Sequence, residues 1–96
     1  MIVHIVLFKF NDENKDQNIK KTVQLLQQLP NKIKQLKTLE IGVNFDEAPR
    51  AMDLSIYTKF DSKEDLDIYA NDEYHLEVIE YIKSVTSYTK VCDYII

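Results

Sequence analysis

Residues 2–10 read Ile2-Val3-His4-Ile5-Val6-Leu7-Phe8-Lys9-Phe10, and this run decides the fold. It is rich in β-branched and aromatic residues and holds neither glycine nor proline, which marks a strand. Successive side chains of a strand point to opposite faces. One face therefore presents His4, Val6, Phe8 and Phe10, and the other presents Val3, Ile5 and Leu7 with Lys9 at the rim. Both faces are apolar, a pattern that belongs to a strand buried on both sides.

Outward from this strand, Asn11–Asp16 is a polar turn, and a helix follows with Ile19, Val23, Leu26 and Leu29 as its inward stripe. Pro30 ends or bends that helix because it cannot donate the backbone hydrogen bond. Lys32–Leu36 continues as a short turn with Ile33 and Leu36 inward. Thr38–Phe45 and Ala51–Phe60 alternate apolar with polar residues around the proline-containing turn Asp46–Arg50, and so read as an antiparallel hairpin. Gly42, the only glycine, is expected at a bulge or a close backbone approach. Asp61–Lys83 reads as two short helices meeting at a break, and Tyr88–Ile96 closes the chain as a strand.

The order β-α-β-β-α-β is the split arrangement of the ferredoxin-like α+β fold, with a four-stranded antiparallel sheet in one domain spanning residues 1–96. Helices roof one face of that sheet. The other face would be an apolar patch larger than soluble monomers tolerate. A homodimer whose two sheets pack face to face into an α/β barrel resolves this.

With 45% hydrophobic and 29% charged residues the chain has the composition of a soluble globular protein. The run Ile2–Phe8 is too short to span a bilayer, so no membrane association is expected. The single cysteine, Cys92, cannot form an internal disulfide, and a cytoplasmic location is the expectation. Residues 1–45 carry seven lysines against four acids, and residues 46–96 carry five basic groups against twelve acids. The lysines of the first helix lack the interleaved aromatics that stack bases, so nucleic acid is not an expected partner. One glycine excludes a glycine-rich phosphate loop. No Cys/His spacing fits a zinc site, and neither metal nor cofactor is expected.

The candidate chemistry lies in Asp61–Lys83, DSKEDLDIYANDEYHLEVIEYIK. Asp61 or Ser62 is a good N-cap, Asp61 and Glu64 have capping-box spacing, and Asn71 and Asp72 offer a second cap. His75 precedes Val78 and Ile79 by three and four residues, so it falls on the inward stripe in the first turn of its helix. Tyr69, near the end of the preceding helix, can reach the same space. The competing reading makes His75 a core histidine with one hydrogen bond and Tyr69 a packed ring with its hydroxyl on backbone.

The opening MIVHIVLFKF, then Ile41-Gly42-Val43-Asn44, Arg50-Ala51-Met52-Asp53-Leu54, Phe60-Asp61-Ser62, Leu66 with Tyr69, His75-Leu76 and Asp93-Tyr94 together resemble the stress-responsive A/B barrel domain (Dabb) family. The resemblance covers nearly the whole chain and implies a dimeric α+β barrel. Some members are polyketide cyclases, in which a tyrosine and a histidine between sheet and helices promote an intramolecular aldol condensation. By position these match Tyr69 and His75, and a further pocket histidine on the first strand matches His4. The family often has a histidine and a proline just before the helix histidine; here those positions hold Asp72 and Glu73. Two acids there favour a charged His75, whereas the helix N-terminus favours the neutral ring.

Three functions compete. A cofactor-free lyase or cyclase acting on a small carbonyl compound would use His75 as base, Tyr69 as oxyanion donor and His4 as a second polar contact. A non-catalytic dimer would bind a small-molecule ligand or serve a stress-related role. A cofactor-free dimeric-barrel monooxygenase is the third; haem-degrading relatives of that type rely on a tryptophan, which this chain lacks.

Overall fold

The computed structural model describes Met1–Ile96. The elements run β1 (Ile2–Phe10), α1 (Lys15–Gln27), α2 (Leu29–Lys32), β2 (Thr38–Val43), β3 (Leu54–Phe60), α3 (Lys63–Asn71), α4 (Glu73–Val85) and β4 (Thr86–Ile95). The sheet is antiparallel with strand order β2-β3-β1-β4, the ferredoxin-like topology, and β1 lies inside it.

Register assigns the two faces. Val6 lies opposite Ile56 on β3 and Val91 on β4, so the even-numbered residues of β1 share a face with them. That face is roofed by the helices: Ile2, Val6, Phe8 and Phe10 join Leu54, Ile56, Phe60, Leu26, Leu29, Val78 and Ile82 in one buried core. The opposite face carries Ile5 between Tyr57 and Cys92, and Leu7 between Ser55 and Lys90. No helix covers it. Tyr88 and Tyr94 stand 49% and 41% exposed on it, a loss of apolar burial that a lone subunit would have to carry.

Pro30 acts at the start of a new turn. It occupies the first turn of α2, where its missing N–H has no helical partner to lose. Ile33 and Leu36 are buried as the stripe requires. Thr22 is fully buried within α1, where its hydroxyl donates to the Asn18 carbonyl at 2.8 Å.

Three local expectations are corrected. Gly42 pairs regularly with Ser55, and a side chain there would meet nothing within 4 Å, so it marks neither bulge nor close approach. The irregularity lies instead between β1 and β4, where the partner of Lys9 is Tyr88 but that of Phe10 is Thr86. Ser87, the residue skipped, donates its hydroxyl to Asn11 at 2.7 Å. The capping box at Asp61 and Glu64 does not form; Ser62 is the cap and accepts the Asp65 N–H at 3.1 Å. The third strand begins at Leu54 and not at Ala51, because the carboxylate of Asp53 turns in to accept the Phe10 N–H at 2.7 Å. No helix is long and apolar enough to cross a membrane.

Candidate functional site

Between the roofed face of the sheet and helices α3 and α4 lies a cavity of about 450 Å3. Its walls are mainly apolar, from Val6, Phe8, Leu26, Ile56, Leu66, Val78, Ile79 and Ile82. His4, Tyr69, His75 and Asp93 are among its polar side chains, with Lys63, Asp67, Lys83 and Thr89 completing the polar lining. The three residues singled out in the sequence therefore meet in one space. A wider cleft of about 860 Å3 lies over α1 and the β2–β3 loop. Of its three lysines, Lys9 and Lys15 are paired with Asp53, at 3.8 and 3.6 Å, and it contains no histidine.

His75 is placed by a cap. Asp72 ends α3 and starts α4, and its carboxylate accepts the Tyr74 N–H at 2.9 Å and the His75 N–H at 3.4 Å. The His75 ring then leans back across the break, its Nδ1 lying 3.1 Å from the Ala70 carbonyl. A carbonyl only accepts, so Nδ1 carries the hydrogen and Nε2 is left with a lone pair. Burial lowers the pKa of His75 below the usual imidazole value, the nearby His4 adds to this, and the Ala70 bond and the Asp72 charge oppose it. The neutral ring wins because the site is half-buried and because Asp72 is already engaged by the backbone of α4. A sequence shows the acids but not the desolvation.

Tyr69 is 1% exposed and sits on Phe60, ring centroids 4.9 Å apart. Its hydroxyl has no hydrogen-bond partner. The competing expectation, a phenol bonded to backbone, is thus not met. Burial pushes its pKa well above the usual phenol range, so the group is a neutral donor.

His4 packs edge-on to Tyr69 with ring centroids 6.4 Å apart. Its carbonyl accepts the hydroxyl of Thr58 at 2.7 Å, and its Nδ1 is hydrogen-bonded to the carboxylate of Asp93. Thr58, fully buried, stands where the alternation of β3 calls for an apolar residue, and that break in pattern is its sequence signal. Asp93 is the site residue that sequence reasoning missed as a partner of His4. Its signal is register: β1 and β4 are antiparallel from the chain ends inward, so His4 faces Asp93. No group of three or more His, Cys, Asp and Glu side chains is arranged to hold a metal ion.

Residues 2–96 match the family model of the stress responsive A/B barrel domain. Among solved structures, a dimeric ferredoxin-like protein of unknown function from Bacteroides fragilis superimposes with a TM-score of 0.89 at 24% identity, covering 99% of this chain and 95% of that one. A hydroxynitrile lyase from Passiflora edulis gives a TM-score of 0.88 at 17% identity, covering 99% and 92%. An antibiotic biosynthesis monooxygenase gives 0.78 at 12% identity, covering 100% and 98%. At these identities the likeness fixes the fold and leaves the reaction open. No curated protein matches the chain in sequence.

Proposed function

The chain belongs to the stress-responsive A/B barrel domain family, and we propose that it is a cofactor-free lyase or cyclase of that family acting on a small carbonyl compound, working as a homodimer. The observation that carries the reading is the unpartnered hydroxyl of Tyr69 beside a neutral His75. A buried donor without an acceptor costs about 1–3 kcal/mol. A ligand oxygen entering beside it would relieve that cost, and none of the protein's own groups does. His75 supports the role of base because its Nδ1–H is tied to Ala70, leaving the Nε2 lone pair for a proton on carbon.

In this reading His75 takes a proton from the carbon next to a carbonyl. The C–H electron pair becomes an enolate, and Tyr69 donates a hydrogen bond to its oxygen. The enolate carbon then attacks a second carbonyl of the same molecule, or the same sequence runs in reverse to cleave a carbon–carbon bond. His4 is the second polar contact. The apolar walls exclude water and shelter the enolate. The hydroxynitrile lyase on the same fold supports a lyase, and the structures described as dimers support the homodimer.

The test is deuterium exchange into acetylacetone and simple ketones in deuterium oxide, followed by proton NMR. Wild-type protein should accelerate exchange over buffer, and His75→Ala should return it to the buffer rate. No acceleration with any ketone, or an unchanged rate in His75→Ala, removes the reading. Shifts of the His75 ring signals on ketone addition without exchange would instead support ligand binding with no turnover.

A further inference from the structure

We propose that the cavity holds its ligand lengthwise and that Lys83 and Thr89 form a second, anion-binding end. The site then takes an oxo acid: an unbranched apolar chain with a ketone at one end and a carboxylate at the other. The ketone end rests on the reading of Tyr69 and His75 given above.

Three walls of the cavity run the same way. β1 contributes His4, Val6 and Phe8, and β4 contributes their partners Asp93, Val91 and Thr89. Along α4 the lining passes from His75 through Val78, Ile79 and Ile82 to Lys83. His75 lies at the His4 end, since both rings pack on Tyr69. Lys83 lies at the Phe8 end. Val85, two residues on, accepts the Asn11 N–H at 2.9 Å, and Thr86 pairs with Phe10. From His4 to Phe8 the strand rises about 13 Å. From His75 to Lys83 the helix rises about 12 Å. The two lengths agree, so the cavity is a slot, polar at His75, apolar through its middle and polar again at Lys83.

Charge distinguishes the ends. The near end has Asp93 on β4 with Asp67 and Lys63 on α3, a helix that starts just after Phe60, the partner of Ile2. Two acids there face one lysine. The far end has Lys83, which makes no ion pair. The negative pole of a helix favours a lysine in its last turn with or without a ligand. The dipole does not account for a slot leading from that lysine to a phenol without a partner. The hydroxyl of Tyr69 is buried on the lining and unsatisfied, which calls for an oxygen at the near end. Val91 is on the roofed face yet 57% exposed, so the slot is open along β4 and an apolar chain lying in it would cover that side. A carboxylate is repelled by the acids of the near end and attracted by Lys83, with the Thr89 hydroxyl as a neutral donor beside it. That fixes the orientation. A volume of about 450 Å3 is in the range of small-molecule sites.

The experiment measures binding by calorimetry and by proton–nitrogen spectra of the full chain, without reference to turnover. The probes are levulinate, oxooctanoate and oxodecanoate, each with its ketone beside the terminal methyl, together with decanoate and the methyl ester of oxodecanoate. Affinity should rise along the oxo acid series by about two- to fourfold per methylene. Lys83→Ala should weaken oxodecanoate about fivefold and leave the methyl ester unchanged, and Lys83→Arg should keep the wild-type affinity. Lys63→Ala should stay within about twofold for both. Equal binding of acid and ester by the wild type, or equal loss of both in Lys83→Ala, overturns the anion-binding end. A larger loss in Lys63→Ala than in Lys83→Ala overturns the orientation. Tyr69→Phe should weaken oxodecanoate and not decanoate; equal effects on the two overturn the ketone end. Lys83-dependent binding of oxodecanoate with no deuterium exchange removes His75 as a base and upholds the oxo acid site.

Discussion

The ring of His75 lies 4.2 Å from the ring of Tyr69, centroid to centroid, at an interplanar angle of 44°. The pair spans the break between α3 and α4, so an imidazole on one helix and a phenol on the other are held at one joint. The donor has no partner in the protein, and this gives opposite expectations for stability and function. Tyr69→Phe keeps the ring on Phe60 and deletes only the unpaired hydroxyl. Its urea midpoint should match the wild type or rise by up to about 1 kcal/mol equivalent. Ketone turnover should fall roughly 100-fold or more. Tyr69→Ala should instead cost about 3–5 kcal/mol, because it empties a buried aromatic site. A Phe variant clearly less stable than the wild type would mean that the hydroxyl is satisfied.

The lowered pKa of His75 fixes the sign of a pH effect. In the unfolded chain the ring titrates at its ordinary value of 6.5, and in the folded protein it titrates lower because burial disfavours the charge. Between those two values the unfolded state binds the extra proton, so stability falls as pH falls. Above both values the group contributes no slope. Wild type should therefore lose more stability than His75→Gln between about pH 7.5 and about pH 5. Denaturant melts at both ends of that range measure the difference. An equal loss in the two proteins would show that the imidazole gains its proton freely in the fold.

Asp72 joins the cap to the chemistry. Its carboxylate accepts the first free N–H groups of α4 and so sets where His75 starts. Asp72→Ala should cost about 0.5–2 kcal/mol, as other N-cap losses do. Asp72→Ser, which retains a capping oxygen without the charge, should recover most of that. If stability follows the charge and not the cap, the serine variant will resemble alanine. Turnover should follow stability through this pair, because both readouts depend on the same helix start.

The fold was legible where the signal is local. The doubly apolar β1, the alternation of β2 and β3 and the stripe of α4 each lie within one segment, and periodicity reads them directly. His75 and Tyr69 were legible for the same reason, being six residues apart around a capping signal. The His4–Asp93 pair was not, since it joins residues 89 positions apart and exists only through strand register. The orphan state of Tyr69 is a property of space around an oxygen, which no sequence pattern encodes. Gly42 misled because a glycine in a strand has several causes, and here the strand is simply exposed at that point.

No helix covers the face of the sheet that carries the odd-numbered residues of β1. Ile5 and Leu7 lie at its centre between Tyr57, Cys92, Ser55 and Lys90, and the exposed rings of Tyr88 and Tyr94 extend it along β4. β4 is an edge strand exposed along almost its whole length, and the chain ends in Ile95 and Ile96 at 66% and 62% exposure. A second copy laid on this face by a two-fold axis would cover Ile5 with its own equivalent surface. An interface of standard size, about 1,600 Å2 in total, would suffice for a stable pair. Sedimentation velocity should then show a dimer at micromolar concentration. Ile5→Lys places an unpaired charge at the middle of that contact, which costs far more when buried than at a free surface. It should yield a folded monomer, because Ile5 is outside the roofed core and the helices keep their own burial. A wild-type monomer at about 100 μM, well above the usual range of stable homodimers, would remove the dimer. A dimer that survives Ile5→Lys would place the contact away from the sheet.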